Sequence, residues 1–201
     1  MSFFVVMIDK NKVRDFFDSL ANQWDEGTNI NEEIKDKIFA NAKIEKGNCV
    51  LDVACGTGVL IPHYFDAGVS FVTAIDLSPE MVIIAANKYH SGKTEFICDD
   101  AAIHRFVKMY DNVVIYNAFP HFGDPDKLIA NLSSCLKQGG YFTIAHSMSR
   151  EKINMHHENI DTDLFVDLPT IDELSIMVGK HLRVTTTVSD EKMCQIVAEK
   201  C

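Results

Sequence analysis

Two hundred and one residues, 47% of them hydrophobic and 24% charged, suffice for one domain with a continuous core that needs neither disulfides nor a structural metal. A formal net charge of -10 makes the surface as a whole repel a phosphate backbone, which excludes nucleic acid as the default partner. No apolar run approaches the roughly 18 residues needed to span a bilayer.

The opening M-S-F-F-V-V-M-I-D-K has no basic residue ahead of its apolar run and no small-residue cleavage site after it, so it reads as part of the fold and points to a cytoplasmic location. Residues 10 to 43 carry helical periodicity, with Phe16, Phe17, Leu20 and Trp24 on one side and Ile30, Ile34, Ile38 and Phe39 on another. Next comes V-L-D-V-A-C-G-T-G, Val50 to Gly58: a buried strand ending in a tight glycine turn at Gly56 and Gly58 that runs into a helix.

Phe71 to Ile75 is a short strand ending at Asp76. It is followed by a helix with Ser78 as N-cap, Pro79 at the first helical position and Glu80 in the first turn. Thr94 to Cys98 forms the next strand, ending at Asp99 and Asp100, and Asp111 to Asn117 another, apolar enough to be buried on both faces. A helix runs from Asp124 through Leu136 and stops at Q-G-G, and Tyr141 to His146 is a fifth strand. Residues 147 to 169 read as a polar connection to a helix starting near Pro169. Leu182 to Val188 and Met193 to Ala198 then form an antiparallel hairpin at the sheet edge.

Strands alternating with helices predict a parallel sheet covered on both faces, an α/β domain. The organisation follows: a helical lid over 1–45, a core over 46–146, a second lid over 147–169 and a closing helix and hairpin over 170–201. The six cysteines form no C-x-x-C pair and read as free thiols, with Cys49, Cys98 and Cys194 expected to pack in strands.

Ligands of such sheets bind beyond the carboxyl ends of the strands. There the sequence places Asp52, Gly56, Gly58, Asp76, Asp99, Asp100 and Asn117. An acid about 20 residues after the first glycine suits a ribose diol. The dinucleotide fingerprint G-x-G-x-x-G fails, because Ile61 stands at the third glycine position. A carboxylate at Asp52 would repel a pyrophosphate but suits a cationic amino group. These features disfavour a dinucleotide-dependent reductase.

The stretch V-L-D-V-A-C-G-T-G resembles motif I of the class I S-adenosylmethionine-dependent methyltransferases. A-I-D-L-S-P-E-M, I-C-D-D-A-A, N-A-F-P-H-F and L-K-Q-G-G-Y-F resemble their second to fifth motifs, in order. F-F-D-S-L-A-N-Q-W-D is similar to the opening helix of the subgroup typified by ubiquinone and menaquinone biosynthesis methyltransferases. The resemblance spans nearly the whole chain. It implies a Rossmann-like, doubly wound sheet of order 3-2-1-4-5-7-6 with strand 7 antiparallel, S-adenosylmethionine as cofactor, and methyl transfer to a small-molecule acceptor by a monomer or homodimer.

Carried over by position, the resemblance implies that backbone around Ala54, Cys55, Gly56 and Gly58 wraps the methionine portion while Asp52 orients its ammonium. Asp76 takes the ribose hydroxyls, Leu77 and Met81 line the adenine, and Asp100 and Ala101 meet its edge. Asn117 and Ala118 lie near the sulfonium. Asp99 stands where many relatives have glycine, so the acid that meets the adenine is Asp100 or its neighbour.

His121 is the candidate general base, or else a residue that shapes the pocket. Phe16, Phe17 and Trp24 are core residues or a hydrophobic cover over the cofactor or the acceptor. In H-S-M-S-R-E-K-I-N-M-H-H, the residues His146, Arg150, Asn154, His156 and His157 are candidates for acceptor contact. A second reading makes the chain a cofactor-binding protein that uses this histidine-rich segment to hold a metal or tetrapyrrole-like ligand; its spacing matches no familiar zinc pattern, and no metal ligands are assigned.

Overall fold

The computed structural model describes residues 8–27, 30–157 and 163–201. Seven strands form one sheet: β1 (Cys49–Val53), β2 (Phe71–Asp76), β3 (Thr94–Cys98), β4 (Tyr110–Tyr116), β5 (Leu136–His146), β6 (Arg183–Ser189) and β7 (Cys194–Glu199). Their order is β3-β2-β1-β4-β5-β7-β6. The first five run parallel, and β7 lies antiparallel to both β5 and β6. Fold class, strand order and the closing hairpin match the sequence expectation.

Around the sheet lie α1 (Lys10–Leu20), α2 (Glu32–Asn41), α3 (Ile61–Asp66), α4 (Pro79–Tyr89), α5 (Pro125–Ser134), α6 (Arg150–His157) and α7 (Ile171–Gly179). A 3-10 helix over Ala21–Gly27 follows α1. The pleat sorts the core into two halves. Leu51, Val53, Val113 and Ile115 meet Leu128, Ile129 and Leu132 of α5 and Leu174 and Val178 of α7. Val50, Val72 and Val114 face the other way, toward Ile34, Ile38 and Phe39 of α2 and Ile61 and Tyr64 of α3. Asp52, alternating with Leu51 and Val53, therefore points into the α2–α3 side.

The predicted Ser78 cap forms, and two further helices are capped by side chains. The Ser78 side chain accepts from the Met81 N–H at 3.1 Å, and Asp124 accepts from the Lys127 N–H at 3.0 Å. Thr170 and Glu173 make a reciprocal capping box at the start of α7.

Three expectations change. α5 stops at Ser134 rather than Leu136, and L-K-Q-G-G joins β5: Leu136 pairs with Tyr110, and the register then slips to Asn112 opposite Tyr141, with Gly139 at φ +75°. The Lys200 ammonium donates to the carbonyls of Ser133 and Leu136 at 2.7 and 2.8 Å, closing the helix end from the far terminus of the chain. The polar connection after β5 contains α6, anchored by buried Ile153. Finally, Cys98 is exposed at the end of edge strand β3, whereas Cys194 is buried and Cys49 half-buried.

Candidate active site

Past β1 the backbone turns through left-handed conformations at Ala54 (φ 54°), Gly56 (φ 54°) and Gly58 (φ 83°). The Gly56 N–H donates to Asp76 Oδ2 at 2.8 Å, and the Ser78 N–H donates to Asp76 Oδ1 at 2.9 Å. One carboxylate thus joins the turns after β1 and β2. Burial raises the Asp76 pKa, while the N–H donors oppose the shift.

Asp52 lies below the turn, 2% exposed, and accepts from the Tyr64 hydroxyl at 3.3 Å. Burial pushes its pKa up to about 7; the Tyr64 hydrogen bond opposes this and the nearby Asp76 charge adds to it.

These turns form the floor of a cavity of about 640 Å³ along the carboxyl ends of β1 to β5, within the range of ligand sites. Ten of the twelve residues assigned to cofactor binding from sequence line it, all but Asp52 and Gly58. Gly58 faces packing instead: a Cβ there would sit 2.9 Å from Ile61 Cδ1 and from the Tyr89 ring. Asp99 and Asp100 both reach the cavity. Asp99 is bound to His104 Nδ1 at 2.7 Å, while Asp100 pairs with Lys10 and accepts from the Ala102 N–H at 2.9 Å.

The N-terminal helices form the roof, contributing Lys10, Val13, Arg14, Phe17 and Trp24 to the wall. They are tied to the floor. Asp18 accepts from the Ser78 hydroxyl and the Glu80 N–H. Asp25 accepts from the Thr57 hydroxyl at 2.7 Å and pairs with Lys88. The Phe17 ring stands edge-on to Trp24 at 5.4 Å and to His121 at 5.0 Å.

His121 lines the cavity, and its Nδ1 lies 2.9 Å from the Leu164 carbonyl. A carbonyl can only accept, so the neutral ring carries its proton on Nδ1 and its lone pair on Nε2. At the β4 end Asn117, at φ 54°, uses its amide to hold β5: Oδ1 accepts from the Ser147 N–H at 2.8 Å and Nδ2 donates to Ser147 Oγ at 3.0 Å.

The other acceptor candidates whose side chains are described lie off the cavity wall. Phe16 packs edge-on against Phe17 at 5.3 Å and beside Leu164 and Phe165. His146 is buried within β5 opposite Cys194. The Arg150 Nε donates to the Leu168 carbonyl at 2.8 Å, and Asn154 Oδ1 accepts from the Leu168 N–H at 2.8 Å; both hold α6 to the returning chain. His156 is exposed on α6, and the side chain of His157 lies outside the described residues. Among the described residues, no group of three His, Cys, Asp or Glu side chains is placed to hold a metal ion.

Sequence reasoning missed Ile30, Asn31, Ile34, Tyr116 and Met148, all in the wall. Tyr116, next to Asn117 at a strand end, was legible in principle. Ile30 and Ile34 carry only a helix-face signal.

A family model described as a methyltransferase domain matches residues 50–140, the stretch from β1 through the glycines before Tyr141. The matched stretch carries the glycine turn and the ends of β1 to β4 that line the cavity. The chain is 26% identical over 170 residues to a malonyl-[acyl-carrier protein] O-methyltransferase of Acetivibrio thermocellus, covering 80% of this chain and 59% of that protein. It is 26% identical over 141 residues to a ubiquinone biosynthesis O-methyltransferase of Coxiella burnetii, covering 66% of this chain and 60% of the relative. The chain thus spans about 60% of the length of these two relatives.

Among solved structures, it resembles a chain from the complex between the Haloferax volcanii Trm112 methyltransferase activator and the methyltransferase. The TM-score is 0.79 and the identity 21%, covering 93% of this chain and 96% of that one. It also resembles the magnesium protoporphyrin IX methyltransferase of Synechocystis PCC 6803 with bound SAH, at TM-score 0.71 and 17% identity, covering 96% and 99%. At these identities the structural likeness establishes the fold. Among the described residues, no helix is long and apolar enough to cross a membrane.

Proposed function

We propose that this chain transfers a methyl group from S-adenosylmethionine to a small-molecule acceptor. The observation that carries the reading is the convergence of ten motif residues, distant in sequence, on one cavity whose floor is a left-handed glycine turn bonded to the Asp76 carboxylate. The residues present fit the group. Asp76 retains acceptor capacity for a ribose diol, the Ala54–Gly56 backbone lets a ligand approach closely, and Leu77 and Met81 offer apolar surface to a base. S-adenosylmethionine, when bound, supplies a methyl carbon on a positively charged sulfur.

The chain's own contribution is placement and exclusion of water. The roof of α1 and the 3-10 helix covers the cavity, and Asn117 holds the β4 and β5 ends in fixed relation. Where the acceptor arrives protonated, His121 Nε2 takes that proton while Nδ1 stays fixed on the Leu164 carbonyl. The alternative of a metal or tetrapyrrole-like ligand on the histidine-rich segment is not favoured: among the described residues no group of three His, Cys, Asp or Glu side chains is placed to hold a metal ion, and Arg150 Nε and Asn154 bond Leu168.

Calorimetric titration with S-adenosylhomocysteine tests the cofactor site. Binding is expected without added metal, and Asp76→Ala should weaken it about tenfold or more, the scale of hydrogen bonds to a charged group. Unchanged affinity in the variant, or a preference for NADH, would sink the reading.

A further inference from the structure

The cavity wall changes character along the sheet edge. Its charged side chains gather beyond β2 and β3: Asp76, Asp99 and Asp100 from the strand ends, Lys10 and Arg14 from the roof, and Asp124 and Lys127 from the start of α5. The start of α5 belongs to this end, because Asn131, one turn past Lys127, donates to the carbonyls of Ala101 and His104 at 2.8 and 2.9 Å.

The opposite end, beyond β4 and β5, is walled by Tyr116, Ser147, Met148, Ile30, Asn31 and Ile34. Ile30 and Tyr116 pack on the core cluster that contains Ile34. The polar groups here are neutral: Asn31 Oδ1 accepts from the Ile34 N–H at 3.2 Å, Ser147 Oγ accepts from Asn117, and Tyr116 brings a phenol hydroxyl. None of the described residues in this part of the wall is charged. Glu33 and Lys37 of α2 face a separate surface groove, where Lys37 pairs with Asp190.

We infer that the end of the cavity beyond β4 and β5 is the acceptor compartment and that it takes an uncharged, largely apolar acceptor. The inference rests on the reading that the glycine-turn end holds S-adenosylmethionine. A carboxylate or phosphate entering the compartment would shed water and find no cation to pair with, which is strongly unfavourable. The chain's net charge of -10 opposes an anion further. A neutral ring or chain meets Ile30, Ile34 and Met148 at no such cost, and a neutral hydroxyl is the kind of nucleophile that needs the base His121 offers.

The test titrates the S-adenosylhomocysteine-saturated protein with two matched pairs, catechol against 3,4-dihydroxybenzoate and indole against indole-3-carboxylate. At least one neutral member should bind, about tenfold or more tighter than its acid, because only the acid buries an unpaired charge. Met148→Lys should narrow or reverse that ratio while S-adenosylhomocysteine affinity stays within about twofold, since a side chain 38% exposed leaves an ammonium room to reach water. Acids that bind as tightly as their neutral partners, no binding by either neutral probe, or a ratio indifferent to Met148→Lys would overturn the assignment while S-adenosylhomocysteine still binds. Failure of S-adenosylhomocysteine itself to bind would instead overturn the cofactor reading, and this inference with it.

Discussion

Gly56 and Gly58, two residues apart and both at positive φ, serve different needs. At Gly56 an added Cβ would meet only Trp24 Nε1, at 3.7 Å, so Gly56→Ala carries mainly the left-handed backbone cost, about 1–2 kcal/mol. At Gly58 the same methyl also strikes Ile61 and Tyr89 at 2.9 Å. Gly58→Ala should therefore cost clearly more, about 2–4 kcal/mol with the overpacking term, in denaturant unfolding. Equal losses at the two positions would contradict the packing assigned to Gly58. His121 is tested at the same scale. With Nδ1 fixed on Leu164, His121→Ala should lower kcat by about 10²–10⁴-fold if it removes a general base, while S-adenosylhomocysteine affinity is retained. Undiminished turnover would leave His121 as a wall residue beneath Phe17.

Among the elements, the roof and α6 differ most in how legible they were. Strands β1 to β4 announced themselves as apolar runs ended by a glycine turn, an acid or asparagine, and α4 by Ser78, Pro79 and Glu80. The start of β5 was hidden because a lysine more than 60 residues downstream closes α5. The histidine-rich segment invited a ligand reading; no local pattern reveals that Arg150 and Asn154 bond Leu168. Similarly, Phe17 and Trp24 were legible as a cover, but the ties that hold it were not, since Asp18 and Asp25 look like ordinary surface acids. Those ties make a prediction. Asp25 joins the 3-10 helix to Thr57 and Lys88, a hydrogen bond and a partly exposed ion pair together worth about 1–2 kcal/mol. Asp25→Ala should speed S-adenosylhomocysteine dissociation roughly 5–30-fold if that energy is lost when the roof opens. Stopped-flow fluorescence of Trp24, the sole tryptophan, reads the rate. An unchanged rate would mean that ligand leaves without lifting this part of the roof.

For the molecule as a whole, the unliganded site is in tension with stability. The core halves bury Leu51, Val53, Val50 and their partners on both faces of β1, yet Asp52 sits between them with a hydroxyl as its hydrogen-bond donor and a second carboxylate nearby. Its pKa, 3.8 in the unfolded chain, rises to about 7 on folding, chiefly through burial. Between those values the folded state binds the proton more tightly than the unfolded state does. The contribution of this group to stability is therefore fully present below pH about 4 and is lost as pH rises toward 7, by up to about 1.4 kcal/mol per pH unit. Asp52→Asn keeps an oxygen to accept from Tyr64 and cannot ionise. The unliganded variant should gain stability over the unaltered protein progressively from pH 4 to 7, and the difference should level off above that. Denaturant unfolding of both proteins across this range measures it. A difference independent of pH would show that folding leaves the Asp52 pKa unshifted. Asp52 lies just below the cavity floor; if the ammonium of bound S-adenosylhomocysteine reaches it, as the motif resemblance implies, saturating ligand should act in the opposite direction, because a nearby positive charge lowers the carboxyl pKa and makes ionised Asp52 favourable. The same substitution should then weaken ligand binding most at neutral pH, where the acid stabilises the complex at the expense of the empty fold.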